Sequence, residues 1–209
     1  MKDTVILFAR APRLGAVKRR LAKEIGDRQA YRFHAQSLAR LIRQMACERR
    51  FRAVIALTPD RSRMRLPVSF SRIDQGSGDL GVRMQRAFRK FTSGRVVLAG
   101  CDIPEMTMSD LKTALTALGS ADAVFGPATD GGYWLVGMSS RRPAQPFRGV
   151  RWSTRHALSD TARNFSHHRV AVVRALRDID SGRDFALWRS TLGGLGYKRG
   201  GKEGKGSNR

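Results

Sequence analysis

The stretch RVVLAGCDIPEMTMSDLKTALTALGSADAVF, residues 95–125, carries the fold class in miniature. Arg95–Ala99 is a short apolar run rich in β-branched residues, and Gly100-Cys101-Asp102-Ile103-Pro104 ends it. Ser109 is placed to cap a helix reaching about Leu118, and Ala121–Phe125 is again apolar and strand-like. Short apolar runs alternating with helical patterns are the mark of an α/β domain with a mainly parallel sheet.

The same alternation extends in both directions. Upstream lie a strand at Thr4–Ala9, a loop at Arg10–Ala16 and a helical stretch whose face is Phe33, Ser37, Leu38, Leu41, Ile42 and Met45. A strand at Arg52–Thr58 follows, then a short run near Val68–Ile73 and the glycine-rich Gln75-Gly76-Ser77-Gly78, after which Asp79 is suited to cap a helix through Phe91. Downstream come an apolar run at Tyr133–Met138, loop over 139–152, helix over 154–165, strand over 169–173 and a terminal helix over 182–192. Residues 1–192 thus read as one domain, and 193–209 as a disordered basic Gly/Lys-rich tail.

Composition removes several function classes. With 209 residues and 41% hydrophobic content the chain can bury an ordinary core. Cys47 and Cys101, the two cysteines, are too few for a disulfide scaffold and lack metal-ligand spacing, which suits a reducing, cytoplasmic setting. No apolar run approaches the ~20 residues of a membrane span, and the five apolar residues before Arg10 are too short for a secretory leader. The net charge of +23 invites a nucleic-acid reading. The charge is spread rather than striped, and 32 of the 40 basic residues are arginine. No helix-turn-helix, zinc-finger or aromatic RNA-binding signature accompanies it. A basic enzyme acting on anionic substrates fits better than a non-catalytic nucleic-acid binder, which stays as a distant alternative.

In open α/β sheets ligands bind beyond the carboxyl ends of the strands, and four clusters fall there. ARAPRLGAVKRRL, residues 9–21, follows the first strand and offers Lys18, Arg19 and Arg20 near a helix N-terminus, a setting that favours phosphate. It lacks the glycine spacing and Lys-Ser/Thr pair of a P-loop. Gly78-Asp79-Leu80-Gly81 with Arg83 permits close approach of a ligand to the backbone, or is simply a capped helix start. Asp102 follows a fully apolar strand, where a carboxylate could hold a hard divalent cation together with substrate phosphates; a strand-end turn before Pro104 is the plainer reading. Asp130-Gly131-Gly132-Tyr133 and Asp178-Ile179-Asp180 read singly as a hairpin turn and a helix cap, but three acidic sites at strand ends are harder to dismiss together. Cys101 reads as a small buried residue, and the four histidines support neither a triad nor a zinc site; His34 and His156 fall within helical patterns as surface or satisfied core groups.

Taken in order, ARAPRLGAVKRRL, GSGDLGVRM, GCDIPEM, FGPATDGGYWLVGM, FRGVRWST and LRDIDSGRDF resemble a small bacterial GT-A-like transferase family long treated as a domain of unknown function. Its members are often labelled glycosyltransferases, some linked to arsenosugar biosynthesis, and the resemblance spans roughly residues 4–185. The family looks related to the nucleotidyltransferases of molybdenum-cofactor and phospholactate metabolism, which share a Lys-x-Arg-Leu element, here Lys18, Arg20 and Leu21, and an Asp-rich element, here Asp178, Asp180 and Asp184. The resemblance implies a three-layer α/β/α nucleotide-diphospho-sugar transferase fold with a mainly parallel mixed sheet. It implies nucleotide contacts at Arg10, Pro12, Gly15, Lys18, Arg20, Gly78, Asp79, Gly81 and Arg83, and acceptor contacts at Gly131, Gly132, Tyr133, Trp152 and Ser153. Asp102 and Asp180 would hold Mg²⁺ or Mn²⁺, with Asp102, Asp130 and Lys18 as the catalytic set and Asp130 as general base. The expected function is glycosyl transfer from a nucleotide sugar to a small acceptor. Nucleotidyl transfer from a nucleoside triphosphate to a phosphorylated small molecule is the alternative.

Overall fold

The first strand, β1 (Asp3–Arg10), is inserted between two parallel neighbours, and its consecutive residues Val5, Ile6 and Leu7 are almost fully buried because both faces of the sheet are covered. The computed structural model describes residues 2–194. After β1 come α1 (Arg19–Ile25), α2 (Asp27–Ala46), β2 (Phe51–Thr58), β3 (Phe70–Asp74), α3 (Leu80–Arg89), β4 (Val96–Gly100) and α4 (Met108–Ala117). The chain continues through β5 (Ala123–Pro127), β6 (Tyr133–Met138), α5 (Ala157–Arg163), β7 (Val170–Val172) and α6 (Gly182–Gly194).

These strands form one seven-stranded sheet in the order β3-β2-β1-β4-β6-β5-β7. Only β6 runs against its neighbours, pairing antiparallel with both β4 and β5. Side chains alternate across the sheet as the two-residue period requires. Val5, Leu7, Ala9, Ile55 and Val97 join α2 and α4 on one face, while Ile6, Val54, Val96 and Leu98 join α3, Phe147 and Phe165 on the other. The three layers expected from the sequence are therefore present.

Several local readings change. The single helical stretch after the first loop is two helices, broken at Gly26, whose φ of +85° suits glycine and few other residues. Leu21 of α1 and Phe33 of α2 then close on Phe185 and Trp188 of α6, a third, smaller core. The cap of α4 is Thr107, not Ser109: Thr107 N donates to the Asp110 carboxylate at 2.8 Å and Asp110 N donates back to Thr107 Oγ1, a reciprocal box that Ser109 cannot make from inside the helix. At α6 Ser181 and Asp184 form the same box, so Asp178 and Asp180 are not the cap. The edges of β3 and β5 shift by one or two residues, and Asp79 caps α3 as expected, accepting from Val82 N at 2.8 Å. The terminal helix runs two residues past its expected end, to Gly194, and the rest of the expected tail lies outside the described residues. Among the described residues no helix is long and apolar enough to cross a membrane.

Candidate active site

Topology gathers the acidic residues at one edge of the sheet. Asp102 stands two residues beyond the end of β4, and Asp130 sits in the β5–β6 turn. Past β7 the chain runs on beside β5, where Leu176 N donates to Pro127 O at 3.0 Å, and this delivers Asp178 and Asp180 to the same edge. The turn itself is a tight hairpin, with Gly131 at φ +87° and Gly132 N donating to Asp130 Oδ1 at 2.8 Å. The hairpin reading of this segment holds, and the same turn leaves Asp130 at the carboxyl edge.

Lys18 is the hub of the site. Its ammonium lies 3.1 Å from Asp102 Oδ2 and 2.7 Å from Asp180 Oδ1, and its side chain is only 6% exposed. Burial alone would lower the Lys18 pKa, but the two carboxylates outweigh it and hold the amine above its ordinary range. Lys18, expected at the nucleotide phosphates, sits between the two expected metal ligands. Burial likewise pushes Asp102 up, and the Lys18 charge and the His34 hydrogen bond overcome that, keeping the carboxyl ionised well below its usual range.

His34 is the satisfied core histidine that the sequence allowed, and its partners connect it to the site. It is 3% exposed on the inner face of α2, with Nε2 2.9 Å from the Arg10 carbonyl, which can only accept, and Nδ1 3.1 Å from Asp102 Oδ1. The ring thus ties the end of β1 to the carboxylate after β4. Its signal was available: a histidine on the same helical stripe as Phe33, Leu38 and Leu41 must find partners inside the core. Cys101 is buried as expected, and burial, reinforced by Asp102, pushes its thiol up, away from nucleophilic use.

Beside Asp102 opens a cavity of about 350 Å³. Phe8, Met84 and Leu98 contribute apolar wall, Tyr133 and Trp152 meet edge to face at 6.4 Å, and Asp102, Asp130 and Asp178 supply negative charge. Gly132 and Ser153 also line it. The loop carrying Trp152 is fixed by the buried Asp160, whose two oxygens take Arg151 Nε at 2.8 Å and the Arg151 terminal nitrogen at 2.9 Å. Burial, then the charges of Asp180 and Asp130, push the Asp178 carboxyl up to about 6.

The remaining expected nucleotide residues lie on the other side, around the ends of β1, β2 and β3. Arg10, Gly15 and Arg20 are exposed in and after the first loop, and Pro12 is half-buried there. Gln75 is 1% exposed and clamps two strand ends, its Nε2 donating to Ala9 O at 3.0 Å and Ala56 O at 2.7 Å. Arg83 donates to the Gln75 side-chain oxygen and lies 5.7 Å over the Phe8 ring. Gly78 and Asp79 are exposed at the start of α3. Gly81 is not: a Cβ there would come within 2.8 Å of the Trp152 ring and 3.0 Å of Phe147. Its lack of a side chain admits Trp152 and leaves no open approach for a nucleotide, which corrects the expected contact.

Comparison with known proteins places this geometry. A protein of Desulfovibrio desulfuricans G20, assigned provisionally as a nucleotide-diphospho-sugar transferase, matches with a TM-score of 0.83 at 26% identity, over 95% of this chain and 91% of that one. The 4-diphosphocytidyl-2C-methyl-D-erythritol synthase of Anaerococcus prevotii matches with a TM-score of 0.57 at 10% identity, over 92% and 98% of the two chains. CMP:2-keto-3-deoxy-manno-octonic acid synthetase, solved with CTP, gives 0.56 at 10% identity over 93% and 100%. At that identity the last two share the fold alone. No curated protein sequence matches the chain.

The mixed sheet with its single reversed strand is the α/β fold of the nucleotide-diphospho-sugar transferase class. Within that class the chain belongs to the DUF2064 family, uncharacterized proteins conserved in bacteria, whose pattern it matches over residues 18–154.

Proposed function

We propose that the protein transfers a sugar from a nucleoside-diphosphate donor to a small acceptor. The observation that carries this reading is the pair Asp102 and Asp180 closing on one cationic centre, the Lys18 ammonium, at the side of an aromatic cavity that also holds Asp130. Two carboxylates aimed at one cation form a hard-oxygen set that fits Mg²⁺ or Mn²⁺. When bound, such an ion supplies neutralisation of the charge that builds on the leaving diphosphate.

This chain's own residues do the rest. Arg10 and Arg20, exposed beside the first loop, meet the donor phosphates, and Asp102 and Asp180 would hold the ion, which would leave the Lys18 ammonium available to the same phosphates. His34 holds the Asp102 carboxylate in place. The backbone at Gly78 and Asp79 borders the base and ribose. Asp130 accepts the proton of the acceptor hydroxyl as its oxygen bonds to the anomeric carbon, and the bond from that carbon to the β-phosphate oxygen breaks, releasing the nucleoside diphosphate. Trp152 and Tyr133 give the acceptor its apolar face.

Nucleotidyl transfer is the second reading. The likeness in fold to two cytidylyl-type enzymes favours it, as does the pairing of the single Asp102 with the Asp178-Ile179-Asp180 segment. A thermal-shift panel of UDP-, GDP- and TDP-sugars and nucleoside triphosphates, with and without Mn²⁺, separates the two. Stabilisation by a nucleotide sugar that grows with Mn²⁺ is the expected result. Stabilisation by CTP or GTP alone supports the second reading, and stabilisation only by RNA rejects both.

A further inference from the structure

The cavity beside Asp102 differs in kind from the rest of the molecule. The chain carries 40 Lys and Arg, yet among the described residues none lines this cavity, whereas Asp102, Asp130 and Asp178 do. Lys18 already balances Asp102 and Asp180. Among the described residues neither Asp130 nor Asp178 has an ion-pair partner, so the lining they share is left without a compensating cation. Much of the remaining lining is apolar and aromatic, from Phe8, Met84, Tyr133 and Trp152.

We infer that the cavity takes a non-anionic small molecule with a ring or apolar face, and prefers one bearing a protonated amine. A phosphate or carboxylate placed there would leave water for two uncompensated carboxylates with no basic side chain to meet it, a loss on both the desolvation and the Coulomb side. An ammonium gains from both carboxylates and from the ring faces of Tyr133 and Trp152. A neutral hydroxyl compound falls between. The volume of about 350 Å³ accommodates one ring with a short substituent. Naming this molecule the acceptor rests on the transferase reading above; its charge class does not. The consequence for that reading is direct, since a phosphorylated acceptor, which nucleotidyl transfer would use, is excluded from this cavity.

Four probes of similar size test the inference on the full-length protein: benzylamine, benzyl alcohol, benzoate and phenyl phosphate, titrated by calorimetry at pH 7. Benzylamine is expected to bind about threefold or more tighter than benzyl alcohol and at least about tenfold tighter than either anion. Asp130→Asn keeps an oxygen for the Gly132 amide in an exposed turn, and it or Asp178→Asn should cut the amine preference roughly threefold. Trp152→Leu should weaken all four probes without reordering them. An anion binding as tightly as benzylamine overturns the inference, as does an amine preference unchanged in both Asn variants, or no probe binding at all. Donor nucleotides titrated into the same protein keep the two readings apart. If nucleotides fail while the amine preference holds, the transferase reading falls and the cavity inference stands; if nucleotides bind and anions win, only the cavity inference falls.

Discussion

Two regions meet along the carboxyl edge of the sheet, and they are opposites. Around the ends of β1, β2 and β3 the surface is cationic, with Arg10, Arg20 and Arg83 set near glycine-rich backbone. Around β4, β6 and the segment after β7 it is acidic and aromatic, with Asp102, Asp130, Asp178 and Trp152 about one cavity. Lys18 is the joint between them: it comes from the basic loop, but its charge is spent on Asp102 and Asp180. The division teaches that net charge says little about a site. Among the described residues, a chain of +23 keeps an acidic pocket by pairing Lys18 with Asp102 and Asp180 and leaving its other basic groups out of the lining.

The comparison can be broken at the joint, with the largest effect. Asp102→Ala removes a partner from both Lys18 and His34 and should lower turnover by on the order of 10²–10³, with Mn²⁺ stimulation abolished, in a steady-state assay of nucleoside diphosphate release. Unchanged metal-stimulated turnover would remove Asp102 from the cation site. A smaller break comes on the acceptor side. Gly81→Ala forces Trp152 and Phe147 to shift and should cost about 1–3 kcal/mol by chemical denaturation, raising the acceptor KM while the donor KM holds. Trp152→Ala should raise the acceptor KM by roughly tenfold, again sparing the donor.

The smallest effect sharpens the contrast in charge. Asp178 has its pKa raised to about 6, so its favourable protonated form is fully present below about pH 4 and is lost as pH rises through 6. Asp178→Asn, which cannot ionise, should melt about 2–4 °C above the parent at pH 8, the shift of roughly 1 kcal/mol in a chain this long. At pH 4 the two should melt together. A variant less stable at pH 8 would mean that the Asp178 charge is balanced by a group other than those described.

Much of this was legible in the sequence. Apolar runs and their glycine, aspartate or proline ends place all seven strands to within a few residues, because burial on both sheet faces leaves a plain signature. That Asp102, Asp130 and the Asp178-Ile179-Asp180 segment fall at strand ends was legible, while the pairing of Asp102 with Asp180 was expected from the family resemblance. What could not be read were contacts across the fold. That Lys18 reaches Asp180, 162 residues away, or that His34 reaches Asp102, depends on how α1 and α2 pack after the break at Gly26, which no local period encodes. Gly81 misled for a related reason, since a glycine cleared for a tryptophan and one cleared for a ligand look the same in a sequence. That no basic side chain among the described residues lines the cavity is likewise a property of the folded surface, invisible in a composition of 40 basic residues.

The division of labour between the two regions is tested most directly by amide hydrogen–deuterium exchange with a stabilising nucleotide bound and then removed. Protection is predicted in the first loop, residues 10–20, and at residues 75–80, with residues 130–134 and 151–154 unchanged until an acceptor is added. Protection by the nucleotide centred on 130–134 and 151–154, with the first loop unaffected, would contradict it.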